Sequence, residues 1–155
     1  PYNLLDRRVE RELMPMARTY GVATIPWSPL AGGLLTGKYR RGEEPPEGTR
    51  FATANAMQRR RFNDRLFDIV EGLAPIARAH DATVPQIALA WVMAQPGVTS
   101  PIVGPRTMEQ LEDNLAAADV ELTDDDRQAI DRLIPPGTNV APYYEADFGP
   151  HRFRV

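Results

Sequence analysis

Residues 23–39 read ATIPWSPLAGGLLTGKY, and the fold turns on how this stretch is understood. Val22 to Trp27 is a short apolar segment with β-branched residues, the composition of a buried strand. Pro26 belongs at the end of such a strand, because proline cannot donate to a ladder. Ser28-Pro29, the Gly32-Gly33 pair, Gly37 and Lys38 then follow at once. Three readings of these residues stay open at this level: a catalytic loop, a cradle for a cofactor, or turn chemistry that ends a strand.

Working outward, Val9, Leu13, Met14, Met16, Ala17 and Tyr20 recur at helical spacing, which predicts a helix over 8–20 stopped by Gly21. Residues 32–53 are rich in Gly, Pro and charge and read as a long loop, a feature that in compact domains is usually functional. Helical periodicity returns from Phe62 to Ala77. A more uniformly apolar helix follows over 84–94, opened by a capping-box pattern of Thr83 with Gln86. Val98 to Gly104 is a second short strand, and Thr107 with Gln110 opens a helix whose apolar face is Met108, Leu111 and Leu115. The last helix, 123–134, begins with Asp124, Asp125 and Asp126, acids that suit a helix amino terminus. Apolar strands alternating with helices predict an α/β fold with a parallel sheet. Two or three strands do not complete such a sheet, and an α/β barrel takes about 250 residues. Together with the opening "PYNLLDR", this predicts a fragment: a single partial domain over 1–155 with a tail at 135–155.

The composition narrows the function. At 155 residues, 43% hydrophobic and 25% charged, with net charge −3, the chain reads as a soluble globular protein. It has no electrostatic footprint for nucleic acid or an anionic membrane. The Arg59-Arg60-Arg61 cluster, followed by Asp64, Asp68 and Glu71, reads as a solvated helix face. Cysteine is absent, which removes disulfides and thiolate chemistry, and a cytoplasmic home is expected. With only His80 and His151, no histidine-based triad or metal site is expected.

Both strands end in loops of anion-binding character. The first carries Ser28, Gly32-Gly33 and Lys38; the second carries Gly104, Arg106 and a Thr107-capped helix start. Backbone N–H groups and the helix dipole attract an anion there, and the Arg106 fork suits phosphate. The plainer readings are turn chemistry at 28–33, a core role for Trp27, a surface pair of Arg106 with Glu109 or Asp113, and solvated charges at Lys38 and Arg50.

In combination, WSPLAGGLLTGKY (27–39), PIVGPRTMEQLEDNL (101–115) and YNLLDR (2–7) resemble the carboxyl-terminal half of the aldo-keto reductase family. The branch they resemble is the bacterial one that includes reductases like potassium-channel β-subunits. The resemblance covers 1 to about 134 and implies strands six to eight, with their helices, of a (β/α)8 barrel. It implies NADP(H) as cofactor and an aldehyde or ketone as small-molecule substrate. Trp27 would pack on the nicotinamide ring. Ser28, Pro29, Leu30, Ala31 and Gly32 would follow the pyrophosphate, with Lys38 and Arg50 closing over it. Gly104, Arg106 and Gln110 would meet the adenosine end, Arg106 at its 2′-phosphate or adenine face, with Asp113 and Asn114 at the adenine.

The family's catalytic Asp, Tyr, Lys and His match nothing in this chain, so no catalytic residue is assigned. Two further readings stand beside the reductase half: an NADP(H)-sensing regulatory subunit and an inactive truncated product. Tyr143, Tyr144 and Phe148 in the tail would line a substrate pocket, pack outside a barrel or meet another subunit, and a homo-oligomer stays open.

Overall fold

The computed structural model describes residues 1–140. Six α-helices organise them: α1 (Leu13–Tyr20), α2 (Ala56–Arg59), α3 (Asp64–Ala79), α4 (Val84–Met93), α5 (Met108–Ala116) and α6 (Asp124–Leu133), with short 3₁₀ turns at Arg8–Glu10, Ala31–Thr36 and Ala117–Asp119. The helix expected over 8–20 is therefore broken into a 3₁₀ turn and α1, while Gly21 caps it as expected, in the left-handed region at φ 66°. The long loop is not structureless either: it opens with the Ala31–Thr36 turn and buries Tyr39 and Phe51.

Helix α4 is the centre of the packing. Ile87, Ala88, Leu89, Ala90, Trp91 and Val92 are all buried in succession, so this helix is apolar all round because it is covered all round. It lies against α3, α5 and the 3₁₀ turns at Ala31–Thr36 and Ala117–Asp119. Its amino end carries the expected capping box, Thr83 with Gln86. Between α3 and α6 the approach is close: a Cβ added at Gly72 would stand 2.7 Å from Leu133 Cδ2.

The two expected strands meet, but only as isolated parallel bridges, Thr24 with Val98 and Trp27 with Ile102. Thr99 N–H donates to Thr24 C=O and Ile102 N–H to Pro26 C=O, each at 2.8 Å. The pairing has the parallel direction the sequence implies without the extent of a strand. Pro26 and Pro101 lack the N–H groups a continuous ladder would use. The other departure is α5, whose expected apolar face is not covered: Met108 and Leu115 are 67% and 62% exposed. Helical period names a face, whereas burial depends on a neighbour lying against it. Among the described residues no helix is long and apolar enough to cross a membrane.

A buried polar network ties the amino-terminal segment to α6. Arg7 is 3% exposed; its Nε donates to Glu10 at 2.7 Å, its Nη1 to Asp131 at 2.7 Å and to the Ile134 carbonyl, and its guanidinium lies 4.8 Å from the Trp91 ring centre. Tyr2 donates to Glu10 at 2.7 Å, and burial, with that bond, pushes its phenol above the ordinary range. Burial acts against the Arg7 charge, but Glu10 and Asp131 outweigh it and hold the arginine above its usual value. Removing one partner of a buried pair strands the other. Arg7→Met should therefore lower stability by about 3 kcal/mol, read from urea midpoints.

At the far end of α3, its C-cap residue His80 reaches across to α6. Its Nε2 lies 2.8 Å from Asp126 Oδ2, the same oxygen that accepts from Thr123 N–H at 2.9 Å in the α6 capping box. Burial alone would raise the Asp126 carboxyl, yet the bonds from Thr123 and His80 bring it below the usual carboxylate value. A depressed carboxylate stabilises above its unfolded pKa, and the contribution disappears as pH falls through the folded value. Below about pH 4, denaturant midpoints should fall less steeply for Asp126→Asn than for the parent.

Candidate functional site

The loop after the first bridge is held in an unusual backbone. Ser28 and Ala31 take positive φ, 56° and 51°, although neither is glycine, and Gly32 and Gly33 follow at 66° and 99°. Left-handed backbone in non-glycine residues costs about 1 kcal/mol or more each and collects at functional sites. Local bonds hold it: Ala31 N–H to Ser28 C=O and Gly33 N–H to Leu30 C=O, both 2.9 Å. Asn3, fully buried, adds a tie the sequence did not signal; its Nδ2 donates to Ser28 C=O at 3.0 Å while its Oδ1 accepts from Leu5 and Asp6 N–H. Only the tertiary approach of residues 1–7 to this loop brings that amide into play.

The second loop is set by α5. Thr107 Oγ1 accepts from Gln110 N–H at 3.2 Å, and Gln110 Oε1 accepts from Arg106 N–H at 2.8 Å. Gln110 thus fixes the backbone of Arg106 instead of completing a box with Thr107. Asp113 is anchored to α4: its Oδ1 accepts from Gln86 Nε2 at 2.8 Å and Thr83 Oγ1 at 3.3 Å. The plainer reading, a pair of Arg106 with Glu109 or Asp113, is not what forms: no ion pair of Arg106 occurs among the described residues.

Between the two loops lies a cavity of about 600 Å³, within the range of small-molecule sites. Ser28, Pro29, Leu30, Gly32, Lys38 and Arg50 line it from the first loop, and Gly104, Arg106, Gln110, Asp113 and Asn114 from the second. Two expected residues stand outside it. Ala31 is buried at 1% exposure behind the loop. Trp27 is 40% exposed, not core, and borders a separate, smaller hollow of about 250 Å³ with Tyr2, Met14 and Ile25. Gly33, Thr36, Ile102, Val103 and Pro105 join the lining as sequence neighbours of the motifs, whereas Pro85 arrives from α4 with no sequence signal.

Among the described residues, three cations, Lys38, Arg50 and Arg106, share this lining with a single acid, Asp113. The Lys38 ammonium lies 5.3 Å from the Tyr39 ring centre. A Cβ at Gly33 would stand 3.1 Å from Lys38 Nζ, so glycine there leaves the lysine its place. Partial burial, and secondly the charge of Arg106, lower the Lys38 pKa. The arrangement suits an anion, which would relieve the repulsion between Lys38 and Arg106.

Aldo/keto reductase sequences, as a family, match residues 1–135. The chain belongs to the aldo/keto reductase family. An uncharacterized oxidoreductase, YrpG, of Bacillus subtilis (strain 168) is 36% identical over 145 residues, 92% of this chain and 42% of the relative. A probable voltage-gated potassium channel subunit beta of Oryza sativa subsp. japonica is 41% identical over 122 residues, 77% of this chain and 37% of the relative. An NADH-specific methylglyoxal reductase of Escherichia coli (strain K12) is 36% identical over 126 residues, 81% of this chain and 37% of the relative. The chain thus spans about two-fifths of the length of these relatives. The tail residues Tyr143, Tyr144, Phe148 and His151 lie outside the described residues.

A bound anion favours the charged ammonium of Lys38. Affinity for sulfate, an anion whose own charge is constant over this range, should therefore weaken as pH rises toward and through the lowered Lys38 pKa, below the usual value of about 10.4. Titration calorimetry from about pH 7 to 10 should show this limb in the parent and its loss in Lys38→Met.

Proposed function

We propose that this chain is the cofactor-binding half of an NADP(H)-dependent aldo-keto reductase, the part that carries strands six to eight of a (β/α)8 barrel. The observation that carries the reading is the cavity where Lys38, Arg50 and Arg106 converge from two loops held together by parallel pairing. Exposed apolar side chains along the paired segments and α5 support the incomplete barrel: Val22, Ile25, Ile102, Met108 and Leu115 are each at least half exposed. Such surface ordinarily packs against more protein.

The residues present fit the cofactor. The strained loop at 28–33 would follow the pyrophosphate, Lys38 and Arg50 would neutralise it, and Arg106, its backbone fixed by Gln110, would meet the adenosine 2′-phosphate. Trp27, half exposed beside the cavity, would give the nicotinamide ring a platform and so choose the face it presents. Bound NADPH supplies a hydride for an aldehyde or ketone carbon. The proton for the carbonyl oxygen would come from a tyrosine supplied by residues outside this chain. A cytoplasmic setting goes with this reading.

A second reading, a subunit that senses NADP(H) with little turnover, draws support from the rice relative's description as a channel subunit. The two differ in whether bound NADPH is consumed when a carbonyl compound is added.

Binding tests the shared core of both. Trp27→Ala should weaken NADPH by about tenfold in the full-length polypeptide, measured by calorimetry. Arg106→Ala should weaken NADPH by about ten- to a hundredfold and NADH much less, since only the former carries the 2′-phosphate. Unchanged NADPH binding in both variants overturns the assignment. Equal losses for the two cofactors would place Arg106 elsewhere, a live contrast given the NADH-specific relative in Escherichia coli.

A further inference from the structure

Lys38 and Arg50 each stand directly before an aromatic residue that is out of solvent: Tyr39 is 5% exposed and Phe51 fully buried. These two rings and Phe62 form a closed triad. Centroid distances are 5.6 Å for Tyr39–Phe51, 5.2 Å for Tyr39–Phe62 and 5.3 Å for Phe51–Phe62, with interplanar angles of 79°, 88° and 81°. All three contacts are edge-to-face, a geometry favoured by the ring quadrupoles. Phe62 immediately precedes Asn63, the N-cap of α3, so the triad is fixed to a long helix. The residues between the two cations run over the surface, where Arg41 bonds Asp64 at 2.6 Å and Asp68 at 2.8 Å on that same helix.

We propose that Tyr39, Phe51 and Phe62 are positioning residues: an aromatic clasp that holds Lys38 and Arg50 on one rim of the cavity before any ligand arrives. The proposal rests on the cofactor reading above. Each cation's Cα is one peptide link, about 3.8 Å, from the Cα of a residue whose ring is locked in the core, so neither backbone can leave the rim while the triad holds. Without the clasp, binding would have to order a loop of roughly a dozen residues that has no regular structure of its own at its centre, and affinity would drop accordingly. The ring of Tyr39 is what the clasp uses, since its hydroxyl has no hydrogen-bond partner among the described residues.

The test uses the full-length polypeptide, calorimetry well below each variant's melting temperature, and two probes. NADPH spans the pyrophosphate and adenosine ends; 2′-AMP occupies the adenosine end alone. Phe51→Leu and the milder Phe62→Leu, at a half-buried site, should each weaken NADPH about tenfold and leave 2′-AMP unchanged. Tyr39→Phe should bind both as the parent does, and Tyr39→Leu should behave like Phe51→Leu. In a Lys38→Ala, Arg50→Ala background, Phe51→Leu should cost nothing more, because it acts through those cations. Parent-like NADPH binding in the leucine variants overturns the clasp, as do equal losses of both probes or a Tyr39→Phe variant as weak as Tyr39→Leu. A parent that binds neither probe overturns the cofactor reading and the clasp with it.

Discussion

Two backbone hydrogen bonds set the geometry on which everything else depends: Thr99 N–H to Thr24 C=O and Ile102 N–H to Pro26 C=O. They run between segments far apart in sequence and hold them parallel, so the two loops that follow leave on the same side. Lys38 and Arg106 line one cavity only because of that. Antiparallel pairing would send the loops to opposite ends and leave two unrelated turns. The prolines that shorten the ladder also end it at the point where the loops must diverge.

Around this pairing the packing is hierarchical. Helix α4 is covered on every side and serves as the floor on which α3, α5 and the Ala31–Thr36 turn rest. The amino-terminal residues are drawn in by Arg7, whose three hydrogen bonds and stacked ring leave none of its charge uncompensated, and through Asn3 they reach the strained loop itself. A polar network in the core thereby sets the backbone at the rim. The cost of Ser28 and Ala31 in the left-handed region is offset by this surrounding structure, which is the ordinary condition for strain to persist.

Membership of the aldo/keto reductase family and the convergence of three cations point the same way, toward a phosphate-bearing ligand. Lys38 and Arg106 line one cavity, and neither forms an ion pair among the described residues. A structural role would place a carboxylate between them, as Asp64 and Asp68 serve Arg41. The basic run at 59–61 shows the contrast: Arg59 simply pairs with Glu44 on the surface.

Much of this was legible in the sequence, and the reasons divide cleanly. Helix ends were readable because their signals are local: Thr83 with Gln86, Gly21 after Tyr20, the acids at 124–126. The anion-binding character of both loops was readable locally, from Ser28, Gly32-Gly33 and Lys38 in one and Gly104 and Arg106 in the other, whereas Trp27, Arg50, Gln110, Asp113 and Asn114 came in as site residues only through the family resemblance. Strand extent was not, since a ladder needs partners and each partner's N–H groups. The exposure of Met108 and Leu115, the arrival of Pro85 in the cavity, the reach of Asn3 to Ser28 and the aromatic triad behind Lys38 and Arg50 were equally hidden. Each depends on whether residues many positions apart come together, and nothing in the spacing of one segment encodes what another lays against it. The sequence by itself determined the four longer helices α3 to α6, the caps at Thr83 and Gly21 and the chemical character of the two loops, but neither the break in the 8–20 helix nor α2. Only the tertiary structure decided that those loops share one cavity, because parallel pairing is a relation between segments and not a property of either.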